Sequence, residues 1–135
     1  MASDLGVPLE AVSLQREYWE QVVRYLIDES ERGRTPNPDI MCNSRIKFGM
    51  FHEYVGRYFS AIASGHYAQH QICEHTGRAQ LFMSADLVKD QTYFLCNMNQ
   101  RQMRHARFPL GGLLKSQVRE EARRLGIQLT KPLYC

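Results

Sequence analysis

The chain has 135 residues, of which 44% are hydrophobic, and it carries 17 Lys and Arg against 14 Asp and Glu, for a net charge of +3. This length supports one hydrophobic core, and the mildly basic charge permits a polyanionic partner without requiring one. The sequence contains no long apolar run and no secretory signal, so we expect no membrane partner and a reducing, intracellular compartment.

Four cysteines, at positions 42, 73, 96 and 135, lie far apart, with no C-x-x-C motif and no Cys/His pair at zinc-finger spacing. We therefore expect no metal site and no disulfide scaffold. Cys73 and Cys96 fall in strand-like or apolar segments, which predicts that both are packed in the core.

The first elements are punctuated by glycine and proline. The stretch LGVPLEAVSL favours a helix end closed by Gly6 and then a short strand around Leu9 to Leu14. The following stretch, REYWEQVVRYLIDESERG, predicts an amphipathic helix from Arg16 to Arg32 that stops at Gly33. Its expected apolar face consists of Tyr18, Val22, Tyr25 and Leu26.

A proline elbow, GRTPNPDIMCN, separates this helix from the next. Pro36 and Pro38 fix φ and disfavour helix before them, which predicts a stiff, non-helical arm from Thr35 to Asp39. With Asp39 as the cap of the following helix, Cys42 falls in the first helical turn, where the dipole lowers a thiol pKa. The Asp39 carboxylate acts in the opposite direction, and the sequence leaves open which effect is larger. A structural elbow with a packed cysteine is the alternative.

Apolar residues from Ile46 onward predict a second amphipathic helix, Asn43 to Phe59, and SAIASG predicts a short strand that ends at Gly65. Gly65 and His66 then lie at the carboxyl end of a strand, the edge where open α/β sheets bind ligands. A turn glycine beside an exposed histidine is the alternative.

Two runs around Thr76 and Gly77, YAQHQICEH and AQLFMSAD, predict a hairpin, and polar helical pieces follow it. Between the hairpin and these helical pieces, VKDQTYFL presents Lys89, Asp90 and Gln91. These residues suit either contacts to an RNA phosphate and base or a charged helix cap. Helices that alternate with strands indicate an α/β sheet with crossovers.

Five blocks, GRTPNPDIMCN, IKF, ASGHYA, KDQTYFL and FPLGG, occur in an order and spacing similar to those of the tRNA-specific 2-thiouridylases of the PP-loop ATP pyrophosphatase group. The resemblance covers roughly Leu5 to Gly126. It implies part of a Rossmann-like parallel sheet of the adenine nucleotide alpha hydrolase type, with a β-hairpin and a helical carboxyl-terminal segment. It also implies a partial catalytic domain at 1–105 and, at 106–135, a helical linker and the start of a central domain.

The activity that this resemblance implies is ATP-dependent 2-thiolation of the wobble uridine of tRNA. ATP, with Mg²⁺, adenylates the base; a cysteine persulfide delivers sulfur; and a second cysteine completes release through a disulfide. The implied partners are tRNA, ATP and a sulfur-donor protein. The implied compartment is the cytoplasm of a bacterium or the mitochondrion of a eukaryote.

The resemblance also implies roles for individual residues. Asn37, Pro38 and Asp39 resemble the residues that touch the target base, with Asp39 as an acid/base group. Cys42 resembles the catalytic thiol that resolves the persulfide. Contacts to the nucleotide and to tRNA are implied further along the chain: Gly65 to ATP, and His66, Lys89, Asp90 and Gln91 to tRNA.

Two family motifs are absent from the sequence. The Ser-Gly-Gly-x-Asp-Ser phosphate loop does not occur, and Cys135 lacks the context of the persulfide cysteine. We therefore expect an interior portion of the catalytic domain that is inactive alone. A non-catalytic RNA-binding module, or another ATP-dependent PP-loop enzyme, is the alternative.

Overall fold

The computed structural model describes residue 2 and residues 5–127, in which short strands are interleaved with helices. The α-helices are α1 (Gln15–Tyr18), α2 (Arg24–Glu31), α3 (Pro38–Met41), α4 (Phe51–Tyr54), α5 (Gln100–His105) and α6 (Lys115–Arg124). Two π-helical stretches (Trp19–Val23, Cys42–Met50) and two 3-10 turns (Gly56–Tyr58, Thr92–Leu95) accompany them. The strands are β1 (Ile62–Ala63), β2 (Gln69–Ile72), β3 (Ala79–Phe82) and β4 (Ala106–Arg107).

The first helical run consists of α1, the first π-helical stretch and α2, and it matches the predicted helix closely. Of its expected apolar face, Val22 is buried and Tyr25 and Leu26 are half-buried, whereas Tyr18 is exposed. Gly33 ends the run with a φ of 73°, and the Gly33 and Arg34 N–H groups donate to carbonyls of the last turn. This is the left-handed glycine cap that the sequence indicated.

The strand predicted at Leu9 to Leu14 is wrong. These residues belong to no helix or strand, and Leu9 is 83% exposed. A strand exists only through hydrogen bonds to a neighbour, and no described strand pairs with this segment.

The second helical run consists of α3, the second π-helical stretch and α4. It starts at Pro38 and ends at Tyr54, so the predicted helix, Asn43 to Phe59, is displaced toward the carboxyl end. Pro38 fits the first position of a helix because its missing N–H needs no partner there. The stiff arm therefore ends at Asn37 and does not extend to Asp39.

The parallel sheet is formed by β1 and β4, with Ile62 opposite Ala106 and Ala63 opposite Arg107. The strand β1 was predicted correctly, whereas β4 was not predicted, and its first residue, Ala106, was assigned to the end of the helical piece NQRQMRHA. The expected α/β chain with part of a parallel sheet is confirmed at this level. The division at residue 105 stays a prediction, although the pairing of β4 with β1 favours a boundary after the strand.

In the sequence between β1 and β4, strands β2 and β3 form a separate antiparallel hairpin around Thr76 and Gly77. Gln69 lies opposite Phe82, and Ile72 lies opposite Ala79. The Gln100 side chain accepts from the Ala79 N–H at 2.8 Å and donates to the Ala79 carbonyl at 2.9 Å. This side chain replaces a missing ladder partner and attaches α5 to the edge of the hairpin.

The core joins the second helical run to both sheets. Phe48 is 3% exposed and packs edge-on against Phe108, with ring centroids 5.9 Å apart. The other buried members of this cluster are Ala68, Ala79, Leu95, Met103 and Ala106. This packing fixes the π-helical stretch against the carboxyl end of the parallel strands.

The turn FPLGG after β4 depends on Gly111. A Cβ atom at this position would lie 1.8 Å from the Ala68 carbonyl oxygen, whereas a Cβ on Gly112 would meet nothing within 4 Å. The Gly111 carbonyl also accepts from the Ala85 N–H at 2.9 Å. The backbone at position 111 can therefore approach the Ala68 carbonyl this closely only if the residue is glycine.

We predict that Gly111→Ala destabilises the chain by about 1–3 kcal/mol, because backbone must move to relieve the clash. Gly112→Ala is the matched control and should change the free energy of unfolding by less than about 0.5 kcal/mol. Urea unfolding followed by circular dichroism measures both. Equal effects of the two substitutions would contradict the close approach.

Candidate active site

The proline elbow is fixed by Asn37, which caps the second helical run. Its Oδ1 accepts from the backbone N–H groups of Asp39 at 3.1 Å and Ile40 at 3.3 Å. The expectation that Asp39 is the cap is therefore wrong: Asp39 is the second residue of α3, with an exposed side chain. Asn37, two residues before Asp39, is the cap, and Pro38 is the first residue of the helix.

This shift changes the surroundings of Cys42, which follows α3 and begins the second π-helical stretch, beyond the first turn. Burial raises the pKa of the half-buried Cys42 thiol, Lys47 opposes this increase, and Asp39 adds to it. The sequence left open whether the helix dipole or the Asp39 carboxylate has the larger effect on this pKa. The carboxylate raises the pKa as expected, but burial of the thiol has the largest effect. The resting thiol is therefore protonated at neutral pH.

Asn43 and Lys47 line the same side of the second helical run as Asp39. Asn43 is 2% exposed, and its amide donates to the Phe94 carbonyl at 3.0 Å. Its Oδ1 accepts from Lys47 Nζ, also at 3.0 Å. A buried amide with both ends bonded attaches the helical run to the Thr92–Leu95 turn and holds the lysine ammonium in place.

The loop that leaves β1 supplies Gly65 and His66. Ser64 Oγ lies 2.7 Å from His66 Nδ1, and burial, with a smaller effect of Lys47, lowers the pKa of His66. His66 is therefore neutral near pH 7 and presents an uncharged ring. Gly65 is exposed, and an added Cβ would meet only Leu110 Cδ1 at 3.8 Å. Packing within the chain thus does not require glycine at position 65.

Gln91 pairs with both backbone groups of Tyr67. Its side-chain Oε1 accepts from the Tyr67 N–H at 3.0 Å, and its own N–H donates to the Tyr67 carbonyl at 2.9 Å. This pairing places Gln91 beside His66, although the two residues come from distant parts of the sequence.

Lys89 and Asp90, the neighbours of Gln91, lie outside this arrangement. The Asp90 carboxylate accepts from the Ser84 N–H and the Thr92 hydroxyl, each at 2.7 Å, so it holds its own loop together. Lys89 is exposed.

These segments surround a cleft of about 190 Å³ lined by Asp39, Asn43, Lys47, His66, Gln91 and Phe94. Three of the residues singled out from the sequence, Asp39, His66 and Gln91, meet there. Others are not among the lining residues: Asn37, Pro38, Cys42, Gly65, Lys89 and Asp90. Cys42 is nevertheless close enough for Asp39 and Lys47 to affect its pKa.

Sequence analysis missed Asn43, Lys47 and Phe94 as lining residues. Each belongs to a block that carried the resemblance, namely GRTPNPDIMCN, IKF and KDQTYFL. The position of these residues within the blocks was the only available signal, because asparagine and lysine in a helical pattern are typical of a solvated face.

The prediction that Cys73 and Cys96 are core residues is wrong. Cys96 is exposed, and Cys73 is half-exposed at the end of the hairpin. Hydrogen bonds from Thr76 and from the backbone of His75 lower the pKa of Cys73. Cys42, Cys73 and Cys96 are free thiols, and Cys135 lies outside the described residues.

Within residues 5–127, no cluster of three His, Cys, Asp or Glu side chains has the arrangement of a metal site. Over the same residues, no helix has the length and apolar character needed to cross a membrane.

The fold and the cleft define a Rossmann-like α/β domain with a polar cleft at the carboxyl end of a parallel strand. Comparison with known proteins identifies its family. The family described as tRNA methyl transferase HUP domain matches residues 1–132, and the chain belongs to this family.

Several curated relatives are named tRNA-specific 2-thiouridylase. The protein of Malacoplasma penetrans is 45% identical over 125 residues, which cover 91% of this chain and 34% of the relative. A Bacteroides thetaiotaomicron protein is 46% identical over 127 residues, covering 94% and 35%. A Ligilactobacillus salivarius protein is 46% identical over 132 residues, covering 97% and 35%. The chain thus spans about a third of the length of these relatives.

The two pKa shifts predict the order of thiol reactivity. Because only thiolates alkylate, Cys73 with its lowered pKa should react with iodoacetamide at lower pH than Cys42 with its raised pKa. Peptide-resolved mass spectrometry over a pH series measures both sites in one sample, and faster alkylation of Cys42 near neutral pH would contradict the burial of its thiol.

Proposed function

We propose that this chain forms part of the catalytic domain of an enzyme that transfers sulfur to C2 of a uridine in tRNA, with consumption of ATP. The observation that carries the proposal is the cleft, in which Asp39, His66 and Gln91 meet next to Cys42 in a chain of this family. The names of the relatives point to the same chemistry.

The cleft suits a pyrimidine base taken out of its stack. Phe94 lines it with an aromatic residue, and Gln91 lines it with a side-chain amide whose Nε2 donor is not used by the bond to Tyr67. The neutral ring of His66 lies at the same cleft without adding a positive charge. Asn37 and Pro38 act on the base through the elbow that they stiffen, and Asp39 is the acid/base group.

We assign Gly65 to hold ATP, which, with Mg²⁺, would supply the adenylation of the O2 atom of the base. Two observations support the assignment: Gly65 follows β1 at the carboxyl edge, and among the described residues an added Cβ there would meet only Leu110 Cδ1, at 3.8 Å. A glycine at this edge lets a nucleotide approach the backbone closely.

Cys42 completes the sulfur transfer. In the proposed sequence, the terminal sulfur of a cysteine persulfide first bonds to C2 of the adenylated base, and the C2–O2 bond breaks with release of AMP. The Cys42 thiolate then attacks the protein-bound sulfur of that persulfide. The new sulfur–sulfur bond forms a disulfide, the old one breaks, and its electron pair stays on the sulfur of the product. The persulfide is supplied by a donor protein. The raised pKa of Cys42 keeps the thiol protonated, and thus protected from oxidation, before this step.

Contacts to the rest of the tRNA are assigned to His66, Lys89 and Gln91. Lys89 is exposed beside the cleft residue Gln91, where it can reach a phosphate. Asp90 supports this patch through its bonds to Ser84 and Thr92. The compartment follows from the same proposal and stays a prediction, bacterial cytoplasm or mitochondrion.

We predict that the 135-residue chain alone forms no 2-thiouridine when it is given ATP, a persulfide donor and unmodified tRNA. The reason is that the sequence contains no phosphate loop to hold the triphosphate. Nucleoside mass spectrometry is the measurement, and it separates thiolated from methylated uridine. Thiolated product in this mixture would show that the chain is sufficient.

A chimera tests the activity itself. Residues 5–127 replace the matching segment of the Malacoplasma penetrans relative in a host that lacks its own enzyme, and we expect 2-thiouridine to reappear in its tRNA. Cys42→Ser should abolish the product, and Asp39→Asn should lower the rate by about 10²-fold or more. Cys96→Ser and Asp28→Asn, at exposed positions, are the matched controls.

The chimera also separates the proposal from a non-catalytic RNA-binding module. Such a module binds tRNA but leaves the chimera without thiolated product, and it gives Cys42→Ser no effect of its own. Methylated rather than thiolated uridine would likewise overturn the proposal.

A further inference from the structure

Lys47 has an arrangement that the proposed roles do not use. Its ammonium lies at the cleft and donates to Asn43 Oδ1 at 3.0 Å. Its charge influences both Cys42, which precedes it in the same helical stretch, and His66, which comes from the loop after β1. The ammonium thus lies at the same cleft as the imidazole and close enough to the thiol to act on its charge.

The backbone explains how Lys47 comes to face Cys42. The two residues are five positions apart within the π-helical stretch Cys42–Met50. Hydrogen bonds in a π-helix join residues five apart, whereas those of an α-helix join residues four apart. The wider turn brings position 47 over position 42, and π-helical segments of this kind are frequent at functional sites.

Asn43 restricts where the ammonium can go. A surface lysine normally samples many rotamers, and ordering it costs conformational entropy. Here the acceptor is a side chain that is 2% exposed and is itself held by the Phe94 carbonyl. The ammonium is therefore kept at the cleft by a rigid partner.

We propose that Lys47 is a positioning residue for sulfur transfer: its ammonium, held by Asn43, stabilises the Cys42 thiolate. The proposal rests on the proposed function for the use of this thiolate, while the pairing itself is a property of this chain. Forming the thiolate requires only that the Cys42 proton pass to water or to a base, so no electrons are transferred.

Among the described residues, two charged groups act on Cys42, and a third titratable group lines the neighbouring cleft. Asp39 on α3 disfavours the thiolate, Lys47 favours it, and His66 at the cleft is neutral. Because Asp39 and Lys47 act in opposite directions, their neutral variants should move the behaviour of Cys42 in opposite directions.

The test is the pH profile of alkylation of Cys42, resolved by peptide mass spectrometry in the 135-residue chain. Lys47→Met should move the profile to higher pH and slow alkylation near neutral pH by about threefold or more, since a tenfold change corresponds to one pKa unit. Lys47→Arg should preserve the wild-type profile. Asp39→Asn should move the profile to lower pH.

Lys89→Met is the matched control, because it removes the same charge from an exposed site outside the cleft, and it should leave Cys42 unchanged. Cys73 is the internal control within every sample. A variant that unfolds is recognised by faster alkylation of all cysteines, and Lys47→Gln, which keeps a donor for Asn43, is the second neutral variant.

An unchanged Cys42 profile in the folded neutral variants overturns the proposal, as does an equal shift in Lys89→Met. Loss of tRNA affinity with an unchanged profile makes Lys47 an RNA contact and also overturns it. These outcomes do not depend on catalysis. A chimera without thiolation activity would therefore contradict the proposed function and leave the result for Lys47 standing.

Discussion

The buried amide of Asn43 is the contact on which the geometry of the cleft depends. It connects the second helical run to the Thr92–Leu95 turn through the Phe94 carbonyl, and it bonds Lys47 with its other end. Loss of this side chain would leave the part-buried Phe94 carbonyl without this partner, at a cost of about 1–3 kcal/mol. Asn43 therefore contributes to the stability of the fold and also fixes the position of the Lys47 charge.

The π-helical winding has a comparable importance. This stretch contains Asn43 and Lys47, which line the cleft, Cys42 beside them, and Phe48 in the core. The Ser44 carbonyl accepts from the Gln102 side chain at 2.6 Å, so α5 supplies a partner to this stretch. Gln102 also forms a reciprocal cap with Asn99 at the start of α5. The unusual helix is therefore supported from outside, and that support places the site residues.

Sequence patterns predicted elements that are long and periodic. The first helical run was predicted because apolar residues recur on one face and Gly33 ends it. The strand β4 has only two residues, Ala106 and Arg107, too few for any alternation to be visible. The extended segment at Leu9 to Leu14 has the composition of a strand but no described partner, and composition cannot reveal a missing neighbour.

The site residues were predicted from family resemblance and not from periodic patterns. Asp39, His66 and Gln91 were singled out because their blocks resemble a family, and the structure brings these three separate segments together. The properties of the cysteines could not be predicted in this way. Burial of Cys42 and exposure of Cys96 depend on how helices and turns pack, and no local pattern reports either one.

The double pairing of Gln91 with Tyr67 holds two walls of the cleft together. Because these two bonds join the loop after β1 to the segment that leads into the Thr92–Leu95 turn, the same contacts set the positions of His66 and Phe94. The bond from Asn43 to the Phe94 carbonyl joins these walls to the second helical run, so separating the two sides of the cleft would require this bond to break.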